Sequence, residues 1–300
     1  MSHPRTRLCD VGEDALVARL IASLPGHPLL RVGPGDDCAV VGPERARVWQ
    51  LLKTDCVVEG VHFTPGEDFR RVGWKALARA VSDIAAMGGV PEQALITVVL
   101  PPALPLDRVE ALYAGLRRCA EAFGVTIAGG ETSRSPGPVL VSVALTGRVE
   151  RRYCVRRSGG RPGDCLFVTG LLGGSLAGKH LDFTPRLEEA RWLTRHFRLR
   201  AMMDVSDGLG KDLPRLARAS GCGYTLETVP CTPGVSREAA LGDGEDFELL
   251  FALGPRQAAR LRKEWPFGKL PLTCIGYLTP NAESPPSADG FDHFALARGD

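Results

Sequence analysis

The chain has no paired cysteines at metal-binding or redox spacing. Its nine cysteines, at positions 9, 38, 56, 119, 154, 165, 222, 231 and 274, are never two residues apart, which removes zinc ribbons and thioredoxin-like sites. An odd, scattered set reads as reduced thiols, and Cys165 and Cys274 lie in apolar runs where Cys acts as a small hydrophobe. No two of the six histidines are four apart with a glutamate between them, so the zinc-hydrolase motif is missing. Long apolar runs are absent too: nothing approaches the roughly 18 uncharged residues of a membrane span, and residues 1–14 lack the core of a signal peptide. A cytoplasmic protein without a membrane partner is expected. Charge of one sign is not in excess, with 37 Lys and Arg against 35 Asp and Glu and a net charge of +2, so no global field points to nucleic acid. There is no Gly-x-x-x-x-Gly-Lys-Ser/Thr, kinase Gly-rich loop, His-Arg-Asp or Gly-x-Ser-x-Gly, and Gly170 to Gly174 does not complete a dinucleotide fingerprint.

What is present is a set of acidic residues where apolar segments run out: Gly35-Asp36-Asp37, Lys53-Thr54-Asp55, Gly129-Gly130-Glu131, Asp204-Val205-Ser206-Asp207 and Gly244-Glu245-Asp246. Oxygen ligands on short turns suit hard cations such as Mg²⁺, which is usually shared between carboxylates and substrate phosphates. Each segment also has a plainer reading. A lone Gly-Asp-Asp fits a polar turn, and Asp55 fits a strand-end cap. Asp83 lies among Ala76, Ala78, Ala80, Ala85 and Ala86, where a buried carboxylate needs a partner, although its own segment fits a solvent-facing position equally well. An N-cap explains one of Asp204 and Asp207, which share one face of a strand end, but not both. Gly129-Gly130-Glu131-Thr132-Ser133-Arg134 combines backbone N–H groups, a carboxylate, hydroxyls and a guanidinium, a set suited to phosphate and metal together.

At 300 residues and 32.2 kDa, the chain has room for two domains of roughly 150 residues each. Apolar periodicity predicts helices over 13–24, 69–87 and 106–123, and strands over 48–54, 93–100, 125–128 and 139–149. Arg, Gly and Ser dominate residues 151–163 and mark a turn into a second unit. Strands are expected there near 165–169, 202–205, 224–227, 247–253 and 272–275, with helices near 174–180, 187–197, 209–219 and 255–264. The partition is 1–150 and 151–300, and 281–289 reads as a loop.

Taken in order, Gly35-Asp36-Asp37-Cys38-Ala39, Thr54-Asp55-Cys56-Val57-Val58-Glu59-Gly60-Val61-His62-Phe63, Lys75-Ala76-Leu77, Ser82-Asp83-Ile84-Ala85-Ala86-Met87-Gly88-Gly89, Gly129-Gly130-Glu131-Thr132, Arg157-Ser158-Gly159, Asp204-Val205-Ser206-Asp207-Gly208-Leu209 and Gly244-Glu245-Asp246-Phe247-Glu248-Leu249 resemble the thiamine-monophosphate kinase family. Single motifs are shared with the wider aminoimidazole ribonucleotide synthetase-like superfamily. The resemblance implies an α/β N-terminal domain that binds ATP and metal and pairs its sheet with a second subunit in a homodimer, and an α+β C-terminal domain. It implies ATP as co-substrate, thiamine monophosphate as acceptor, Mg²⁺, and direct in-line transfer. Carried over by motif, the metal ligands are Asp37, Thr54, Asp55, Asp83, Glu131, Asp204 and Asp207. ATP contacts fall on Gly130, Arg157, Ser206 and Arg134. His62, Glu245 and Phe291 face the acceptor, and Asp204, Asp207 and Arg157 carry the catalysis. A related synthetase of the same superfamily, or a non-catalytic nucleotide-binding paralogue, are the alternatives.

Three positions depart from the family pattern. Glu131 replaces the usual Asp, Lys53 precedes Thr54-Asp55 where some members have a small hydroxyl residue, and Ser287-Ala288-Asp289 stands where a Trp can pack on the substrate.

Overall fold

The computed structural model describes residues 6–280 together with Phe291, His293 and Phe294, and its first α-helix is α1 (Glu13–Ile21). The departure at Ala288 therefore lies outside the described residues. Strands β1 (Leu30–Val32), β2 (Ala39–Val41), β3 (Val48–Val58), β4 (Val90–Leu100), β5 (Thr126–Arg134) and β6 (Leu140–Glu150) form one sheet in the order β1-β2-β3-β6-β4-β5. All pairings are antiparallel except that of β4 with β5. That parallel pair needs a crossover, supplied by helix α3 (Leu106–Phe123). Alternation along the strands buries Leu51, Val57, Ile96, Val98, Val141 and Val143 beneath helix α2 (Phe69–Ala86) and α3. The other face is open, with Leu52 41% and Leu95 52% exposed.

The remaining strands, β7 (Cys165–Thr169), β8 (Ala201–Asp204), β9 (Gly223–Leu226), β10 (Leu249–Leu253) and β11 (Leu272–Thr279), form an all-antiparallel sheet ordered β8-β10-β7-β11-β9. Both of its faces are covered, so its central strands are continuously apolar rather than alternating. Leu166, Val168, Met203 and Leu250 pack on helix α6 (Leu209–Ala219). Phe167, Met202 and Phe251 face helices α5 (Leu187–His196) and α8 (Pro255–Glu264), and Ala85 and Ala86 of α2 join that cluster. Helix α2 thus belongs to the cores of both sheets.

Several boundaries differ from expectation. Strand β3 does not stop at Thr54 but runs to Val58, because β6 pairs with it along its whole length, from Val48↔Glu150 to Val58↔Leu140. The Gly129-Gly130-Glu131 segment is not a turn; it continues β5, in register with Leu95–Thr97 of β4. Gly130 suits this position, since a Cβ there would fall 1.8 Å from the Ile96 carbonyl oxygen. Residues 174–180 hold a 3-10 turn (Ser175–Ala177) and the start of the short α4 (Lys179–Asp182) rather than one helix. Periodicity did not predict β1, β2 or the six-residue α7 (Arg237–Gly242), all shorter than the windows such patterns need.

Two facing glycines set the depth of α2. A Cβ on Gly73 would lie 2.0 Å from the Leu112 carbonyl oxygen, and one on Gly115 would lie 1.9 Å from that of Arg70. Neither neighbour can give way, since both are helix backbone. Gly115→Ala is therefore expected to destabilise the protein by about 1–3 kcal/mol or more through overpacking. A lower urea midpoint with unchanged slope would register this.

Candidate active site

Helix α2 is capped by the Asp68 side chain, which accepts from the Arg70 N–H. Fifteen of its 18 residues are buried, and the three that are not are arginines. Across this largely apolar helix runs a polar stripe at i, i+4 and i+8: Lys75, Arg79 and Asp83, with Ser82 beside it. Such groups tolerate burial only when paired. Their partners come from both sheets. Lys53 of β3 lies 2.9 Å from Asp83, and Asp55 of β3 accepts from Arg79 Nε at 3.2 Å. Ser82 donates to Asp204 at the end of β8 at 2.6 Å, and Lys75 donates to Glu245 at 2.7 Å.

Of these residues, Lys53, Asp55, Arg79, Asp83 and Asp204 line a cleft of about 610 Å³ that also receives Gly35, Arg157, Ser206, Asp207, Phe247 and His293. At its floor, Asp37, Asp83 and Asp204 each bring one carboxylate oxygen within 4.8 Å of the others. Asp37 arrives on the turn that Gly35 makes at φ +109°. The Arg157 guanidinium grips its Oδ1, with Nη2 at 2.5 Å and Nε at 3.1 Å, while Oδ2 is buried without a hydrogen-bond partner among the described residues. Burial raises the Asp83 pKa well above the usual carboxylate range despite Lys53. Burial, reinforced by Asp37, raises Asp204 to about 6. Three crowded carboxylates with an unpaired buried oxygen form an oxygen-only donor set that fits a hard divalent cation.

The far end of the cleft is built on a strained loop. After Gly244 at φ +71°, Glu245 and Phe247 both hold positive φ, 53° and 52°, a costly conformation for residues with a Cβ. Lys75 fixes the loop from below, since its Nζ donates to the His62 carbonyl oxygen at 2.5 Å as well as to Glu245. Nδ1 of His180 lies 2.7 Å from Lys75 Nζ and 2.9 Å from Glu245 Oε2, and can serve only one of them at a time. Burial opposes ionisation of Glu245, but the His180 contact, Lys75 and Arg79 outweigh it and hold the pKa near 2. Burial lowers Lys75 to about 8. Burial and the nearby Arg79 lower His62 to about 4, so its ring is neutral at pH 7. The His293 ring lies 5.3 Å from that of His62 and 4.8 Å from that of Phe291.

Of the residues expected at the site, Asp37, Asp83 and Asp204 converge, and Asp55, Arg157 and Ser206 line the same cleft. Asp207 also lines it, but Arg215 at 2.5 Å and Lys211 at 3.5 Å hold its carboxylate, which is not part of the cluster. Glu245 is engaged by Lys75 and His180 rather than free. Thr54 is exposed beside the half-buried Asp55 and faces the open side of the sheet, as strand alternation requires. Gly130, Glu131 and Arg134 are exposed on β5, at the edge of the sheet, and do not line the cleft. Sequence reading gave no role to Lys75, Arg79, His180 or Asp212. Asp212 accepts from the Ser206 and Asp207 N–H groups at 3.0 and 2.9 Å and holds their turn.

The two-sheet fold, with carboxylates converging in its cleft, places the chain among the AIR synthase-related proteins, and residues 35–149 match the model for the N-terminal domain of that group. The fold extends to a HypE–HypF complex structure at 17% identity and a TM-score of 0.71, covering 89% of this chain and 94% of that one. Closer likeness narrows the class. The thiamine-monophosphate kinase of Rhodopirellula baltica is 37% identical over 284 residues, 88% of each chain. The structure of AaThiL complexed with AMPPCP and TMP superposes with a TM-score of 0.83 at 32% identity, covering 96% of this chain and 99% of that one. The chain belongs to the thiamine-monophosphate kinase family.

The raised pKa of Asp204 has a testable sign. A carboxyl whose pKa rises from 3.8 unfolded to about 6 folded binds its proton more tightly in the native state. It therefore costs stability above pH 6, and the cost fades as pH falls toward 4. In metal-free buffer, Asp204→Asn is expected to melt above the parent at pH 8, with the gap closing between pH 6 and 4. Thermal melts across that range check it.

Proposed function

We propose that the protein transfers the γ-phosphoryl group of ATP to thiamine monophosphate, giving thiamine diphosphate, with Mg²⁺ held by Asp37, Asp83 and Asp204. The observation that carries this reading is the convergence of those carboxylates around the unpaired Asp37 Oδ2, in a chain of the thiamine-monophosphate kinase family. AMPPCP, found with AaThiL, is an ATP analogue whose β–γ bridge cannot be cleaved. ATP use supports a cytoplasmic setting.

The acceptor oxygen belongs to a phosphate monoester with a second pKa near 6, so it is already anionic at neutral pH and needs no general base. The task left to the protein is to align two anions in line and offset their charge. Bound Mg²⁺ would supply that offset at the phosphate oxygens. Arg157, held in orientation by Asp37, would present its guanidinium at the donor end of the cleft that Ser206 also lines. The neutral His62, Glu245 and Phe291 mark the acceptor end, where the thiamine moiety would lie.

We further infer a homodimer. The open face of the first sheet carries the exposed Leu52 and Leu95, and β5 displays Gly130, Glu131 and Arg134 at its edge. Thr54 stands on the open face as well. A second copy seated there would cover the apolar side chains and bring these expected ligand contacts to an interface.

Incubating the purified protein with ATP, Mg²⁺ and thiamine monophosphate, and separating products by chromatography, tests the reading. Thiamine diphosphate should form, and should not form from unphosphorylated thiamine. Phosphorylation of a different monoester in its place would overturn the assignment. Asp37→Asn and Asp204→Asn are each expected to lower turnover by about 100-fold or more, the scale seen when preorganised charge stabilisation is removed. Chelation should abolish activity in the parent, and near-normal turnover in both variants would remove the metal assignment.

A further inference from the structure

We propose that Arg79 binds the phosphate group of the acceptor. The inference rests on the kinase reading and adds a residue to it that no motif supplied.

Along the polar stripe of α2, Asp83 belongs to the carboxylate cluster, and Lys75, eight residues back, belongs to the Glu245 and His62 end. Arg79 stands midway and lines the cleft with Asp55, Asp83, Asp204, Phe247 and His293. When one ligand gives a phosphoryl group to another, the acceptor phosphate must lie where the two ends of the cleft meet. The Arg79 guanidinium is the cation of the stripe at that junction.

The bonding of the Arg79 guanidinium leaves one of its nitrogens unused among the described residues. Nε donates to Asp55 Oδ2 at 3.2 Å and Nη2 lies 3.2 Å from Oδ1, an arrangement that fixes the plane of the fork. Phe247 lies under the group, with its ring centroid 6.0 Å from Cζ. Nη1 has no hydrogen-bond partner among the described residues. Glu245 Oε1 is 3.7 Å from it, beyond bonding distance, and Oε2 of the same carboxylate already meets Lys75 and His180. A guanidinium left short of acceptors in a largely buried position is costly. Its fork matches phosphate geometry better than any other side chain.

At the acceptor end His62 is neutral at pH 7, and the Lys75 charge is met by Glu245. Arg79 is paired with Asp55 through Nε and Nη2, but its Nη1 makes no hydrogen bond among the described residues and can turn to a phosphate dianion. The alternative is that Arg79 serves only as a strut between Asp55 and the Glu245 loop. A strut would support the whole acceptor subsite, whereas a phosphate ligand would affect phosphorylated compounds alone.

Calorimetric titration of the full chain, with Mg²⁺ and a non-hydrolysable ATP analogue present, separates the two. The probes are thiamine monophosphate and thiamine, which lacks the phosphate. The parent should prefer the monophosphate. Arg79→Met should weaken the monophosphate about 10- to 100-fold, the scale of one charge-assisted hydrogen bond, and leave thiamine binding and the ATP KM within twofold. Arg79→Lys keeps a cation beside Asp55 but loses the fork, and should fall between the two. Parallel weakening of both probes in the folded variants would overturn the proposal in favour of the strut. So would an intact preference in both variants while the parent makes thiamine diphosphate, a result that leaves the kinase reading standing. A parent that binds neither probe and forms no product would overturn the kinase reading and this inference with it.

Discussion

The burial of charge along one side of α2 is the constraint on which the rest of the structure depends. A helix whose neighbours include the cores of both sheets cannot leave Lys75, Arg79 and Asp83 unpaired, because an isolated charge in such surroundings costs several kcal/mol. The first sheet supplies Lys53 and Asp55; the second supplies Asp204 and the loop bearing Glu245. Satisfying the helix therefore fixes how the two sheets stand toward each other. The same pairings bring the candidate metal ligands to within 4.8 Å. Stability and site geometry are two consequences of one set of contacts.

Much of the scaffold could be read from the sequence. Helices 106–123 and 209–219 have the observed bounds, because their apolar periodicity is long and ends in recognisable stops. At Gly124 the chain turns left-handed at φ 67°, as a helix C-terminus favours. Strand ends were less legible. Nothing local tells that β3 continues past Thr54 or that β5 absorbs the glycines; both follow from pairing with β6 and β4, which is a tertiary fact. The acidic motifs pointed to phosphate chemistry, and two of their carboxylates, Asp37 and Asp204, meet Asp83 of α2.

The residues missed are those whose meaning lies in spacing across elements. Asp204 and Asp207 look equivalent in sequence, yet the strand carries one toward α2 while Arg215 draws the other away. Lys75, Arg79 and Asp83 are equally spaced on a helix otherwise nearly apolar, and that interval was a readable signal of a polar seam. Asp212 sits within the first turn of α6, where a carboxylate facing back toward the preceding turn is a common device. His180 gave no local signal: its partners are 105 and 65 residues away in sequence.

The close approach of α2 and α3 at Gly73 and Gly115 reaches beyond packing. Backbone touches backbone there, so the helix bearing the polar seam rests on a stop that has no side chain to deform. Gly73 lies two residues before Lys75, and a displacement at that point moves Lys75, Arg79 and Asp83 together as one rigid lever. A methyl group introduced on α3, far from any ligand, would then be read at the cleft as a simultaneous change in the grip on both substrates. Selection for catalysis would act on a pair of glycines that never meet the chemistry.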